Sequence, residues 1–224
     1  MKTSFKTLSV TYDDGLVHLE INQPPSNRMN SLFFNELSSL VDELCKKDGI
    51  SAIVISGKGR HFSSGADLDD LLQKAVHPEK ELSSSGTFSF FERNHFSFLY
   101  FEELNIPVIS AIRGVCLGSA MELALFSHFR FCSEDAVMGL PESTFNLIPG
   151  IGGTSHLIKL AGLAKGLELV LHGEMFSAAD ALQYGIVDKI LPRKEVVPFA
   201  LEFAKKISVN YYKEKKTLYL NSAA

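Results

Sequence analysis

Apolar and polar positions alternate along Gly15-Leu-Val-His-Leu-Glu-Ile21, the pattern of a half-buried strand, until Gln23-Pro24-Pro25-Ser26 breaks the run. From Ser31 to Lys47 the apolar residues Leu32, Phe33, Leu37, Leu40, Val41 and Leu44 recur at helical spacing, with charges on the other face. Ala52-Ile-Val-Ile55 is wholly apolar and stops at Ser56-Gly57, which predicts a buried strand. Strand, helix and strand in that order predict a right-handed crossover and a parallel pair. Arg60 to Asp67 is a turn-rich link into a helix starting near Leu68, and Ser83-Ser84-Ser85-Gly86 reads as a flexible joint. A Phe-rich helix is predicted over 88–104, then a strand at Val108–Ile112 that leads through Gly114 and Gly118 into a helix over 119–127. Short strands follow at 129–132 and 136–138. Beyond Thr154 the pattern is mostly helical, with one more strand at 186–190. The whole is an α/β chain without internal repeats.

Composition narrows the picture. A chain of 224 residues, 46% hydrophobic and 21% charged, has the values of a globular protein with a full-sized core. Its net charge of −4 lacks the basic excess of a nucleic-acid-binding domain, so no nucleic-acid partner is expected. The basic cluster at Lys213, Lys215 and Lys216 reads as the wet face of a terminal helix. Cys45, Cys116 and Cys132 are far apart with no CxxC pair, which suits a reducing compartment and argues against disulfides or a cysteine zinc site. The seven histidines form no metal-binding motif, and no metal is expected. Residues 1–11 have no apolar core of a secretory signal, and no run nears the ~18 apolar residues of a membrane helix. The expected location is cytoplasmic, with no membrane partner.

Three loop-to-helix junctions hold the candidate chemistry. In Phe62-Ser63-Ser64-Gly65-Ala66-Asp67-Leu68, Gly65 allows a tight turn and the small Ala66 leaves its N–H approachable at a helix start, where it can stabilise negative charge. The same run also reads as a plain helix start capped by Asp67. In Gly114-Val-Cys-Leu-Gly118-Ser119-Ala120-Met121-Glu122 a second set of first-turn amides is offered. Glu122 falls in that turn, where the dipole favours a carboxylate with or without a function. The third junction is Gly139-Leu-Pro141-Glu142 followed by Ile148-Pro149-Gly150-Ile-Gly152-Gly153-Thr154. Its glycines resemble a phosphate loop, but the lysine that loop requires is missing.

In this order the runs Ser64 to Leu68, Gly114 to Leu123, Pro141-Glu142 and Ile148 to Thr154 resemble the enoyl-CoA hydratase/isomerase (crotonase) family. Phe176-Ser177-Ala178-Ala179-Asp180-Ala181 with Gly185-Ile-Val-Asp188 is similar to a further family segment, so the likeness runs from about residue 8 to about residue 208. The resemblance implies a spiral of ββα turns over 1–190 with a helical region over 191–224 that is shorter than the family's usual one. It implies assembly as a homo-trimer or a dimer of trimers, and an acyl-CoA substrate with no separate cofactor. It also implies an oxyanion hole from the backbone amides of Ala66 and Ser119, an acid/base pair in Glu122 and Glu142, and water or substrate positioning by Gly150. Ser64, Gly65, Asp67, Leu68 and Gly118 carry over as substrate-binding positions, and Arg28 is a candidate for the nucleotide end.

The two glutamates suit hydration of a 2-trans-enoyl thioester to a 3-hydroxyacyl thioester, and its reverse. One carboxyl group handles water at Cβ and the other a proton at Cα. A Δ3-Δ2 isomerase needs a single base, and such family members keep the glutamate matching Glu142 and lose the one matching Glu122. The chain departs from the family at Ser119, where glycine is usual, and at Asp69, where lysine is common. Phe88, Phe90, Phe91, Phe96, Phe98 and Phe101 crowd the segment that covers the acyl chain in relatives, and part of this set is expected to line an acyl tunnel. Two other classes fit fragments of the pattern. Gly114-Val-Cys116-Leu-Gly118 mimics a nucleophile elbow with His156 or His172 downstream, and a non-catalytic subunit can share the fold.

Overall fold

The structure is a computed structural model that describes residues 5–67, 69–70 and 90–208. The expected helix start at Leu68, the serine joint, Phe88 and the lysine cluster lie outside the described residues. Strands β1 (Leu8–Asp13) and β2 (Leu16–Ile21) form an antiparallel hairpin. Its two-residue turn puts Asp14 and Gly15 at φ 46° and 80°, the left-handed values that an Asp-Gly hairpin turn requires. The sequence pattern predicts only β2. β1 is a half-exposed edge strand whose apolar signal is weak, and the Asp-Gly pair was the clue to it.

Helix α1 (Ser31–Leu44) starts where the Asn30 side chain accepts a bond from the Phe33 N–H at 3.0 Å. It buries Phe33, Phe34, Leu37, Leu40, Val41 and Leu44 along one stripe. Each large side chain so buried contributes roughly 1.5–3 kcal/mol. Strands β3 (Ala52–Gly57) and β4 (Val108–Ile112) are buried throughout because each has parallel neighbours and covered faces. The Phe-rich helix α2 spans Phe90–Glu103 and packs on α1. Next come β5 (Val115–Leu117), α3 (Ser119–Leu125), β6 (Phe129–Ser133), β7 (Val137–Gly139) and a 3₁₀ turn at Pro141–Phe145. The chain continues through α4 (Gly153–Ala161), α5 (Leu163–His172), β8 (Phe176–Ser177), α6 (Ala178–Gln183) and β9 (Lys189–Leu191). Residues 196–208 form the last described helix, α7.

Among the described residues six strands make one sheet in the order β1-β2-β3-β4-β6-β9, and β5, β7 and β8 make a second. Each turn of chain crosses the large sheet, then adds a short segment to a second layer, then enters a helix. The pattern is plain in β4-β5-α3 and β6-β7 followed by the 3₁₀ turn. It recurs after β3, where Ser63 bridges to Cys116 and Ala66 to Met29. This is the ββα spiral of the crotonase fold. The short strand β5 was not legible in the sequence, because three residues carry no periodicity and its pairing is with distant β7. Helix α7 covers the outer face of the large sheet, where Phe131 meets Phe199 and Phe203 edge-on at 5.1 Å between ring centres.

Candidate active site

Successive turns of the spiral bring two helix starts side by side. The Ser63 N–H donates to the Val115 carbonyl at 3.1 Å and the Leu117 N–H to the Ser63 carbonyl at 3.2 Å. Gly65 packs against the next turn so closely that a Cβ there would overlap the Leu117 carbonyl oxygen, and its φ of 89° is itself a glycine conformation. Buried Asn27 fastens this loop from behind. Its Nδ2 donates to the Lys58 and His61 carbonyls at 2.9 and 2.8 Å, and the Ser63 hydroxyl donates to the Asn27 carbonyl at 2.6 Å. Sequence reasoning missed Asn27, since the loop carbonyls it holds lie more than thirty residues away.

The backbone bonds on either side of Ala66 determine where its amide points. Met29 donates to the Gly65 carbonyl and accepts from the Asp67 N–H, both at 2.9 Å, so the Ala66 N–H stays outside that ladder. Gly118, at φ 54° and ψ −130°, turns the chain sharply into α3 and leaves Ser119 as its first residue, whose N–H has no intrahelical acceptor. Ala66 and Ser119 both line one cavity of about 460 Å³. Its walls also include Ser64, Gly65, Gly118, Glu122, Glu142 and Gly150.

The two carboxyl groups enter this cavity from different turns. Glu122 on α3 is 1% exposed, and its Oε1 accepts the Ile151 and Gly153 amides, each at 2.9 Å. Gly153 is required there, since a Cβ would sit 2.8 Å from Glu122 Cγ. Burial pushes the Glu122 carboxyl above its ordinary range, with the amides of residues 151–153 and the charge of His156 opposing the rise. Glu142, in the 3₁₀ turn after Pro141, comes so near Gly118 that a Cβ on that glycine would lie 3.1 Å from Glu142 Oε1. Glu142 Oε2 is buried with no hydrogen-bond partner among the described residues. Burial first, and then the charge of Glu122, push the Glu142 carboxyl up to about 7.

Not every residue singled out from the sequence meets the cavity. Asp67 accepts the Asp69 and Asp70 amides at 3.1 and 3.4 Å, which is helix capping, and pairs with Arg28 at 3.2 Å. Neither Arg28 nor Asp67 is among the lining residues, and Leu68 lies outside the described residues. Of the phenylalanines, Phe91 lines the cavity and packs on Gly150, Phe98 and Phe101 are core, and Phe96 is half exposed. The apolar wall also takes Leu117, Phe145, Leu147, Ile148, Ile151 and Met175. Apart from Ile148 and Ile151 in the glycine-rich run, this wall is not legible in the sequence, because its residues gather from four separate segments. Cys116 sits fully buried within β5, and burial holds its thiol well above the ordinary range, so the elbow reading fails. Among the described residues no group of three or more His, Cys, Asp and Glu side chains could hold a metal ion. No described helix is long and apolar enough to cross a membrane.

Ala66 and Ser119 from successive turns, with the carboxyl groups of buried Glu122 and half-buried Glu142, line an apolar cavity on a ββα spiral, the arrangement of the crotonase class. A family model described as enoyl-CoA hydratase/isomerase matches residues 11–219, and the chain belongs to that family. A probable enoyl-CoA hydratase of Bacillus subtilis (strain 168) is 38% identical over 181 residues, which make up 80% of this chain and 67% of that protein. The fatty acid oxidation complex subunit alpha of Shewanella frigidimarina (strain NCIMB 400) is 36% identical over 200 residues, 87% of this chain but only 27% of that subunit. Among solved structures, an enoyl-CoA hydratase from Bacillus anthracis superposes with a TM-score of 0.80 at 30% identity, covering 91% of this chain and 77% of that one.

Proposed function

We propose that the protein hydrates 2-trans-enoyl-CoA thioesters to 3-hydroxyacyl-CoA and catalyses the reverse reaction. The observation that carries this reading is the pair of carboxyl groups, buried on Glu122 and half-buried on Glu142, in a cavity that Ala66 and Ser119 also line. The Ala66 and Ser119 N–H groups bind the thioester oxygen as negative charge builds on it, each worth about 2.7–4 kcal/mol in the transition state. Two coupled carboxyls in one buried site share a proton near neutral pH. The amides of Ile151 and Gly153 favour the anion on Glu122, so Glu142 holds that proton. Glu122 then accepts a proton from water as its oxygen bonds to Cβ, and Glu142 delivers its own to Cα. Gly150 faces the water, and Ser64, Gly65 and Gly118 shape the wall around the thioester.

Incubation with trans-2- and trans-3-enoyl thioesters in heavy water tests the reaction. Reversible formation of a deuterated 3-hydroxyacyl product is the expected result. Double-bond migration without added oxygen would instead establish an isomerase that uses Glu142 as its single base, a reading favoured by the unpartnered Glu142 Oε2.

Phe91 closes the cavity against Gly150, with a Cβ on that glycine placed only 2.7 Å from the ring. Phe91→Ala should therefore raise kcat/KM for longer acyl chains relative to a four-carbon substrate by about tenfold, read from an acyl-length series. We also propose a trimeric assembly or a dimer of trimers. Leu163, Leu167 and Leu171 recur every four residues on one exposed face of α5, and Met175 and Ile148 are exposed as well. Light scattering should give a mass three or six times that of one chain.

A further inference from the structure

The turn that grips Glu122 is itself gripped from outside. Its amides at 151 and 153 bond to the carboxylate, while its carbonyls at 151 and 152 point away towards two histidines. His95 on α2 places Nδ1 2.7 Å from the Ile151 carbonyl, and His156 on α4 places Nδ1 2.9 Å from the Gly152 carbonyl. A carbonyl oxygen can only accept, so each of these ring nitrogens carries a proton. The Ser155 hydroxyl, 3.4 Å from His156 Nδ1, spends its own hydrogen on the Gly152 carbonyl at 2.9 Å.

The other nitrogen of His156 also faces an acceptor. Its Nε2 lies 2.9 Å from Glu102 Oε2, while Lys159 pairs with Glu102 Oε1 at 3.3 Å. The ring is nearly buried, with Phe126 packed on it at 3.9 Å between ring centres. Among the described residues, the charged and titratable groups around it include Glu102 and His95 on α2, Lys159 on α4 and Glu122 on α3. His128 touches the same corner through the Glu102 carbonyl at 3.0 Å. Burial raises the Glu102 carboxyl, but the bond and charge of His156, followed by those of Lys159, outweigh it and leave the group below its ordinary range.

We propose that His156, fixed by Glu102 and bonded to the Gly152 carbonyl, is the positioning residue that holds the 151–153 turn on Glu122 and so favours its ionised form. This extends the role given to Glu122 in the hydration reaction and rests on it. His95 steadies the neighbouring carbonyl without adding a charge that the geometry requires. A purely structural histidine would leave the titration of Glu122 unchanged.

The test reads Glu122 directly by carboxyl carbon NMR in a Glu142→Gln background, so that the titration belongs to one group. His156→Gln and Glu102→Gln should each raise the Glu122 midpoint by about one unit. His156→Arg, which keeps a permanent charge opposite Glu102, should leave the midpoint where it was. A Glu122 midpoint that does not move in His156→Gln or in Glu102→Gln, or one that moves equally in His156→Arg, would overturn the proposal. With Glu142 intact, His156→Gln should lower kcat on an enoyl thioester about tenfold while KM stays within about twofold. Absence of hydration by the unsubstituted protein would defeat the hydratase reading alone, because the NMR results do not depend on turnover.

Discussion

Glu142→Gln is expected to lower kcat for hydration by about a thousandfold, the range for loss of a positioned proton donor, with KM changed little. Gln matches the side chain in size, so the cavity should survive and the acyl-CoA should still bind. The same substitution should change how stability depends on pH. In the folded protein the Glu142 carboxyl is raised to about 7, so the fold binds a proton there that the unfolded chain releases near the ordinary 4.5. The native state is therefore favoured fully below the unfolded value, and this contribution is lost as pH rises towards the folded value. Above pH 8 the charged Glu142 is a burden that Gln does not carry. The variant should then be more stable than the parent by on the order of 2 kcal/mol, a difference that fades near pH 4.5. Urea unfolding at pH 5 and pH 8.5 measures both ends. A variant that keeps its turnover would remove Glu142 from the reaction.

Gly65→Ala should have the largest effect on stability, about 3 kcal/mol, together with a loss of kcat of about a hundredfold. Two costs combine. Residue 65 has φ 89°, where an alanine costs roughly 1 kcal/mol. The added methyl would also overlap the Leu117 carbonyl oxygen, a backbone atom that no rotamer change can move. Relief requires the 63–66 loop to part from the 115–118 turn, which separates Ala66 from Ser119 and would take one of the two proposed oxyanion donors out of place. Gly49→Ala is the matched control. It has φ 80° but open space around a Cβ, so it should cost only about 1 kcal/mol and leave kcat unchanged. Thermal unfolding and initial rates on the two variants separate local strain from the packing of one turn on the next.

Much of the fold was legible because its elements are local statements. The stripe of Phe33, Leu37, Leu40 and Leu44 makes α1 whatever lies above it, and the unbroken apolar run at 108–112 makes β4. The short strands β5 and β8 were not legible, since two or three residues show no period and their partners come from remote turns. The last described strand lies at Lys189–Leu191 rather than 186–190, because Ile186 and Val187 turn inwards to the core before pairing with β6 begins.

The division at the candidate site follows the same line. Which side chains could take part was readable along the chain, because glycine-rich helix starts and the glutamates beside them are local chemistry and local geometry. Only tertiary contact brings Ala66 and Ser119 to one cavity, pairs Arg28 with Asp67 outside it and lets Asn27 fasten the loop. It also decided the unequal settings of Glu122 and Glu142. An amide points wherever its neighbours' bonds leave it free to point, and a carboxyl group loses water only when distant segments close around it. Both depend on contacts between parts of the chain far apart in sequence, which no run of neighbouring residues encodes.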